Sequence, residues 1–158
     1  MLNKHISKEL EAAYIYLDIN NYFESNGLAG YGSYYKIKAK EEVDQAMMIY
    51  KYLQDNKAEI KLLVISENKH KISGVVDALK HGLQVEESIS SSINQIYDLA
   101  ISLKDYRTST FLYYIIKEQM FKEKSAKQML SDIEIFNDKS SLFFLNEKYG
   151  KKKYQKEN

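Results

Sequence analysis

The stretch KEEVDQAMMIYKYL, residues 40–53, combines a helical repeat of apolar residues with two polar residues on the same repeat. Together with the residues before it, the stretch forms one helix face, which consists of Tyr35, Ala39, Glu42, Gln45, Ile49 and Leu53. Spacings of three and four are those of a helix that buries one side. A carboxylate on a buried face costs free energy unless it is paired or binds a metal. The stretch therefore predicts a helix with a polar site in the core at Glu42 and Gln45.

Three other segments show the same repeat, again with polar residues on the apolar face. Those polar residues are Glu9, Glu86, Gln119 and Lys122. We predict four helices, over residues 4–26, 31–56, 74–102 and 105–136. The chain contains no proline and only 6 glycines, so few positions force a break in a helix. The predicted fold class is all-α, a four-helix bundle.

The spacing of these polar positions relates the four helices to one another. Glu42 follows Glu9 by the same number of residues as Gln119 follows Glu86. If a pseudo-two-fold axis relates the two helical hairpins, equal spacing places all four side chains at one level of the bundle. A single glutamate of this kind is usually a helix-edge residue in water. Three carboxylates at one level, those of Glu9, Glu42 and Glu86, predict a shared site.

The connections between the predicted helices differ in length. Short links at 27–32 and 102–105 make antiparallel neighbours of the helices that they join. The link at 56–73 is long, and a connection of this length in a compact domain is functional or crosses the bundle. We therefore expect a bundle with one long crossover between its second and third helices.

The C-terminal region adds a short segment and a basic tail. Residues 140–149 predict a short fifth helix. We expect one domain over residues 1–149. We expect residues 150–158 to form a basic tail that lies in solvent.

Composition and charge exclude several classes of protein. The sequence is 44% hydrophobic and 28% charged, an ordinary globular balance. A formal net charge of +1 gives no electrostatic reason to expect binding to nucleic acid or to a membrane surface. No apolar run has the length of a membrane span, and the N-terminus lacks the apolar core of a signal peptide. The absence of cysteine excludes thiolate metal sites and agrees with a cytoplasmic location.

The polar positions come close to the ligand pattern of a bundle that holds two iron ions. That pattern has a lone Glu on two helices and a Glu-x-x-His on the other two. Gln45 stands where the pattern has a histidine, and Lys122 stands where it has a carboxylate. As a ligand, Gln offers a neutral oxygen and Lys a nitrogen that must first lose its proton. As a structural residue, Lys122 is a cation that takes the place of a metal among three carboxylates.

Other polar residues near these positions have two readings each. Glu41 and Glu118 extend a path for metal ions or belong to an ordinary solvated helix face. Tyr16, on the same face as Glu9, is a redox-active tyrosine beside the site or one of the aromatic residues of the core. We assign no role to the three histidines, His5, His70 and His81.

A longer set of residues, ordered along the four helices, carries a family resemblance. These residues are Glu9-Leu10 and Tyr16, Glu41-Glu42, Met48 and Tyr52-Leu53, Glu86, Ile89 and Ile93-Asn94, and Asp105-Tyr106, Thr110-Phe111-Leu112 and Glu118-Gln119. In their order and spacing the chain resembles the non-haem bacterial ferritins over nearly its full length. Leu142-Phe143-Phe144 is similar to the short fifth helix of that family.

The resemblance implies a ferritin-like bundle that assembles through two-fold dimers into a hollow shell of twenty-four subunits. Such shells take up Fe²⁺, oxidise it with O₂ or peroxide at a centre inside each subunit, and store Fe³⁺ as mineral. By position, Glu9 and Glu42 belong to the first iron site, and Glu42 bridges to the second. Glu86 belongs to the second iron site, with Gln119 nearby.

The resemblance also assigns residues around that centre. Glu41 and Glu118 match the acidic residues of an accessory third iron site. Tyr16 matches the tyrosine that packs on the centre. Val43 occupies the position of the axial methionine in the haem-binding branch, so we expect no haem.

The departures at Gln45 and Lys122 leave two leading hypotheses; a third, a ferritin-like protein whose basic surface or tail binds nucleic acid, is disfavoured by the near-zero net charge. The first is an iron-storage shell with an atypical and slow ferroxidase centre, built from the retained Glu9, Glu42 and Glu86. The second is a non-catalytic shell in which Lys122 replaces metal in the bundle core. In both hypotheses the partners are iron ions and further copies of the chain, without nucleic acid or membrane.

Overall fold

The computed structural model describes residues 1–136 and 138–155, and in this part of the chain all regular structure is helical. The five helices are α1 (Leu2–Ser25), α2 (Ala29–Asp55), α3 (Val75–Ser102), α4 (Tyr106–Ile135) and α5 (Lys139–Tyr149). The predicted helix ends lie within two residues of these bounds. The all-α bundle with a short fifth helix is thereby confirmed.

Local sequence signals account for several helix ends. The side chain of Asp105 accepts a hydrogen bond from the backbone N–H of Thr108 at 3.0 Å, which caps the start of α4. Asp138 caps α5 in the same way through Ser141. Gly27, in the turn after α1, has a φ of 74°, a conformation that costs glycine little.

The helices pack as two pairs, α1 along α2 and α3 along α4, and α1 also packs on α3. The crossover between α2 and α3 is attached to α1, where the Asn68 side-chain amide donates to Asp18 at 2.9 Å. Helix α5 packs on the start of α2. A β-carbon on Gly30 would lie 1.9 Å from the carbonyl oxygen of Asn146, so this contact requires glycine.

Two apolar clusters fill the bundle, and the polar positions lie between them along α1, α2 and α4, whereas Glu86 of α3 lies between Val85 and Ile89 of one cluster. One cluster is rich in aromatic rings, with Phe23 stacked on Tyr31 at a centroid distance of 4.9 Å. The other is mainly aliphatic and includes Ile49, Ile93 and Leu112. Because both ends of the bundle are packed, the polar residues between them are withdrawn from water.

Most residues of the described tail after α5 are exposed, and two of them contact α2. Lys152 Nζ lies 2.7 Å from Glu41 Oε1, and Lys152 also lies over the ring of Tyr34. The Tyr154 hydroxyl donates to Asp44. The described part of the tail therefore packs on α2, while residues 156–158 lie outside the described residues.

Within residues 1–136 and 138–155, no helix combines the length and the apolar character that a bilayer crossing requires.

Candidate metal site at the centre of the bundle

Four helices bring Glu9, Glu42, Glu86 and Gln119 into the bundle core, and all four residues are buried. The side-chain amide of Gln119 donates to Glu86 Oε2 at 2.8 Å and to the Glu86 carbonyl oxygen at 3.1 Å. This contact joins α3 to α4 at the level that the equal spacing predicts. We call these four residues, together with the side chains that contact them, the bundle centre.

Lys38, which is not among the predicted site residues, connects two of the carboxylates. Its Nζ lies 2.8 Å from Glu42 Oε1 and 2.8 Å from Glu86 Oε1, and the residue is only 3% exposed. Burial lowers the pKa of Lys38, but the charges of Glu42 and Glu86 outweigh burial and raise this pKa well above its usual value. Lys38 is therefore a buried cation between two carboxylates.

Lys122 adds a second cation on the other side of Glu42. Its Nζ lies 3.2 Å from Glu42 Oε2, so each oxygen of this carboxylate contacts an ammonium group. Burial raises the pKa of Glu42, but Lys38 and Lys122 outweigh burial and lower the pKa to about 2. Glu42 is thus held as an anion, in the paired arrangement that the structural reading of Lys122 requires.

Glu86 is saturated by three neighbours. Besides Lys38 and Gln119, the Tyr16 hydroxyl donates to Glu86 Oε1 at 2.6 Å. Burial, and then the charges of Glu86 and Glu42, raise the pKa of Tyr16 well above its usual value. Tyr16 therefore stays protonated and acts as a hydrogen-bond donor to the centre.

Glu9 has a different environment, which includes a histidine to which we assigned no role. His5 Nε2 lies 2.9 Å from Glu9 Oε1, and His5 Nδ1 lies 2.9 Å from Ser92 Oγ. Apart from this contact, the two Glu9 oxygens have no hydrogen-bond partner among the described residues. Burial raises the pKa of Glu9 to about 7, and the contact with His5 offsets only part of this rise.

The remaining predicted site residues lie around this core. Gln45 is buried, and its amide nitrogen lies 3.9 Å from the Met48 sulfur. Glu41 is buried beside Lys152 and lies 3.8 Å from Lys38. Glu118 is exposed on α4.

The signals that would have revealed Lys38 and His5 are weak ones. Each residue lies four positions before a core glutamate, Lys38 before Glu42 and His5 before Glu9. That spacing places both partners on one helix face. The same spacing occurs in many solvent-exposed pairs, so it does not distinguish a buried contact from an exposed one.

The donor set does not fit a pair of iron ions in this arrangement. The oxygens of Glu42 and Glu86 already contact ammonium groups or hydrogen-bond donors. In the part of the chain that the structure describes, no group of three or more His, Asp or Glu side chains is arranged to hold a metal ion. The bundle centre is therefore a cluster of buried ion pairs with one differently partnered carboxylate, Glu9.

The fold and the bundle centre together define the class of protein, a four-helix bundle whose core gathers carboxylates from several helices. The chain belongs to the ferritin family, because the family model of the ferritin-like domain matches residues 1–136.

Two curated relatives are similar over nearly the whole chain. The bacterial non-heme ferritin of Campylobacter jejuni is 26% identical over 149 residues, which cover 94% of this chain and 89% of that protein. The bacterial non-heme ferritin of Staphylococcus saprophyticus is 27% identical over 147 residues, 93% of this chain and 88% of that protein.

Solved structures of an archaeal ferritin have the same fold. An open-pore ferritin from Archaeoglobus fulgidus superposes with a TM-score of 0.92 at 27% identity, covering 96% of this chain and 94% of that one. A closed form of the A. fulgidus ferritin, engineered by site-directed mutagenesis, gives a TM-score of 0.93 at 26% identity, with 98% and 94% covered.

Proposed function

We propose that the protein is an iron-storage subunit of a hollow cytoplasmic shell of twenty-four copies. In this proposal the shell takes up Fe²⁺ and deposits Fe³⁺ mineral, and the bundle centre is an atypical and slow ferroxidase centre. Membership of the ferritin family supports iron storage. The likeness to ferritins of known structure over nearly the whole chain supports the shell.

The position of Lys38 is the observation from which we infer slow oxidation of Fe²⁺. Two Fe²⁺ ions at this centre would need the oxygens of Glu42 and Glu86, which Lys38 contacts at 2.8 Å each. Binding the ions would therefore require the ammonium group to leave a buried pair, and separating such a pair costs several kcal/mol, about 3–5 in comparable cases. Iron that pays this cost binds weakly, and paired oxidation is slow.

A second candidate function is a non-catalytic shell subunit in which lysines replace metal in the core. The two ammonium groups on Glu42 favour this candidate, because they neutralise the carboxylate as a metal ion would. In this case the bundle centre stabilises the fold and oxidises no iron.

Stopped-flow oxidation of Fe²⁺ by O₂ and by peroxide separates these candidates. We expect slow oxidation in the native protein and partial recovery in the double variant Gln45→His/Lys122→Glu, which restores a nitrogen donor and a carboxylate. Adding Lys38→Gln should give the largest increase, because it frees both lysine-paired carboxylates. Lys36→Gln, an exposed position on the same helix, is the matched control.

The measured rate of Fe²⁺ oxidation decides between the two candidate functions. A native protein that oxidises two Fe²⁺ per subunit rapidly contradicts the slow centre. A native protein and a triple variant that both oxidise Fe²⁺ no faster than buffer without protein favour the non-catalytic shell.

Assembly is tested separately, by size-exclusion chromatography with light scattering. The crossover and α1 expose a set of apolar side chains suited to a two-fold contact: Tyr14 at 56%, Leu17 at 47%, Leu62 at 71% and Val64 at 91%. We expect a particle of about twenty-four subunits at micromolar protein. A monomer or simple dimer would rule out the shell.

A further inference from the structure

The residues that follow α5 contact α2 at alternate positions. Lys152 Nζ lies 2.7 Å from Glu41 Oε1, and two residues later the Tyr154 hydroxyl donates to Asp44. Because Glu41 and Asp44 are three positions apart on α2, their side chains lie on the same helix face. We call residues 151–155 the strap, since two of its side chains attach it along this face.

Each of the two attachments includes a cation over an aromatic ring. Lys152 Nζ lies 5.6 Å from the centroid of the Tyr34 ring on α2. In the opposite sense, Lys40 Nζ of α2 lies 5.5 Å from the centroid of the Tyr154 ring. A ring attracts a cation at this distance through its quadrupole. The attachment is therefore reciprocal, which distinguishes it from a general attraction between a basic tail and an acidic surface.

The burial of Glu41 coincides with the position of the strap. Spacings of three and four place Glu41 on one stripe of the α2 surface with four other residues. These residues are Tyr34, Ile37, Asp44 and Met48. All four are partly exposed, whereas Glu41 is only 8% exposed. Lys152 thus covers the one position of this stripe that is buried.

Glu41 lies directly beside the bundle centre. Its Oε2 is 3.8 Å from Nζ of Lys38, the buried cation between Glu42 and Glu86. The order from solvent inward is therefore the strap, Glu41, Lys38 and the two lysine-paired carboxylates. An open strap would leave Glu41 in water, one contact away from Lys38.

The strap can open without movement of α5, because α5 has its own attachment. Lys148 Nζ lies 2.8 Å from Asp132 Oδ2, and the Tyr149 hydroxyl donates to the same oxygen at 2.6 Å. The strap contacts are more exposed, with the Lys152 side chain at 27% and Tyr154 at 39%. Partly exposed ion pairs are weak and are screened by salt.

We infer that the strap is a detachable cover over Glu41 that closes the bundle centre on this side of α2, and that ionic strength shifts the balance between its closed and open states. In the closed state, Lys152 takes the place of any other cation beside Glu41. The cover itself does not depend on the proposed function. Its expected effect on Fe²⁺ oxidation does, because a closed strap keeps Fe²⁺ away from the centre.

The test measures how fast the Glu41 side chain reacts with a water-soluble carbodiimide and glycinamide in the assembled full-length protein. Mass spectrometry locates the product, and the exposed Glu118 is the internal reference. Lys152→Met and Tyr154→Phe each remove one attachment of the strap. Lys153→Met removes the same charge as Lys152→Met at an exposed position of the strap and is the matched control.

We expect labelling of Glu41 relative to Glu118 to rise by up to about fivefold in Lys152→Met and in Tyr154→Phe. This ratio corresponds to about 1 kcal/mol, the upper value for a partly exposed ion pair. Labelling in the native protein should also rise between about 0.1 and 1 M salt. Tyr154→Phe is the decisive variant, because it leaves the Lys152 charge in place, so a rise reports uncovering of Glu41.

Unchanged labelling of Glu41 in Lys152→Met or in Tyr154→Phe would overturn the inference, as would an equal rise in Lys153→Met. Light scattering confirms that each variant assembles as the native protein does.

Stopped-flow oxidation of Fe²⁺ by the same variants tests the consequence for iron, and we expect faster oxidation where Glu41 is uncovered. Equal rates in the native and uncovered proteins, all above buffer, would overturn the effect of the strap on iron entry. If labelling rises while every protein oxidises Fe²⁺ no faster than buffer, the proposed ferroxidase centre fails and the strap stands.

Discussion

Glu42 and Glu9 lie in the same core, both fully buried, yet the pKa of Glu42 is about 2 and that of Glu9 about 7. Burial raises the pKa of both residues. What differs is the partner, because Glu42 contacts two ammonium groups and Glu9 contacts one imidazole. Position in a bundle core therefore does not by itself determine the charge of a carboxylate.

The largest expected effect comes from removing the cation shared by Glu42 and Glu86. Lys38→Met should lower the free energy of unfolding by about 3–5 kcal/mol at neutral pH without metal, because it leaves two buried carboxylates without their common partner. Lys122→Met should cost less, since Glu42 keeps Lys38. Chemical unfolding measures both variants.

Lys36→Met, on the exposed side of α2, is the control and should change stability little. Equal losses in the Lys36 and Lys38 variants would mean that the ion pairs contribute nothing specific. The difference between the lysine-paired Glu42 and the histidine-paired Glu9 would then have no effect on stability.

The second prediction concerns pH. The folded pKa of Glu9, about 7, lies above its usual 4.5, so the folded state holds a proton that the unfolded state releases in this window. The free energy of unfolding therefore falls as pH rises from 4.5 to 7 and stays at its lower value above pH 7. Glu9→Gln should remove this slope and stabilise the protein at pH 8 by about 1–3 kcal/mol.

Unfolding measured from pH 4.5 to 8 tests this prediction, with the partly exposed Glu11→Gln as control. Glu42 acts in the opposite window, because its lowered pKa gives stability that is present above pH 4.5 and lost as pH falls toward 2. A Glu9→Gln variant with the native pH slope would show that Glu9 is ionised throughout.

A smaller effect is expected at Tyr16. Tyr16→Phe removes the 2.6 Å hydrogen bond to Glu86 but leaves that carboxylate with Lys38 and Gln119. We expect a loss of about 1–2 kcal/mol. Tyr14→Phe, at an exposed position on the same helix, serves as the reference in thermal unfolding. Identical melting temperatures for the two variants would contradict a contribution of this hydrogen bond.

The smallest effect is expected at the edge of the centre. The Lys152 side chain is 27% exposed where it contacts Glu41, and partly exposed ion pairs contribute about 0–1 kcal/mol. Lys152→Met should therefore change the melting temperature only slightly, and less at high salt. If this variant lost as much stability as Lys38→Met, the tail would be part of the core rather than a covering segment.

The sequence by itself determined the helices and the level at which their polar residues meet. The repeat of three and four is a property of the α-helix, and equal spacing of Glu9 to Glu42 and of Glu86 to Gln119 is readable without a structure. Lys122 could also be identified, because it follows Gln119 on the inward face. The ion pair between Lys122 and Glu42 agrees with the charged, structural reading of that lysine.

Only the tertiary structure decided the partners of each carboxylate. Lys38 and His5 each lie one helical turn before a glutamate, a spacing that suits an exposed pair as well as a buried one. Lys38 becomes a core cation because the assembled bundle brings Glu86 of α3 within 2.8 Å of its ammonium group. His5 faces Glu9 because Ser92 of α3 holds its other nitrogen. Such contacts join residues far apart in the chain, and local periodicity contains no information about them.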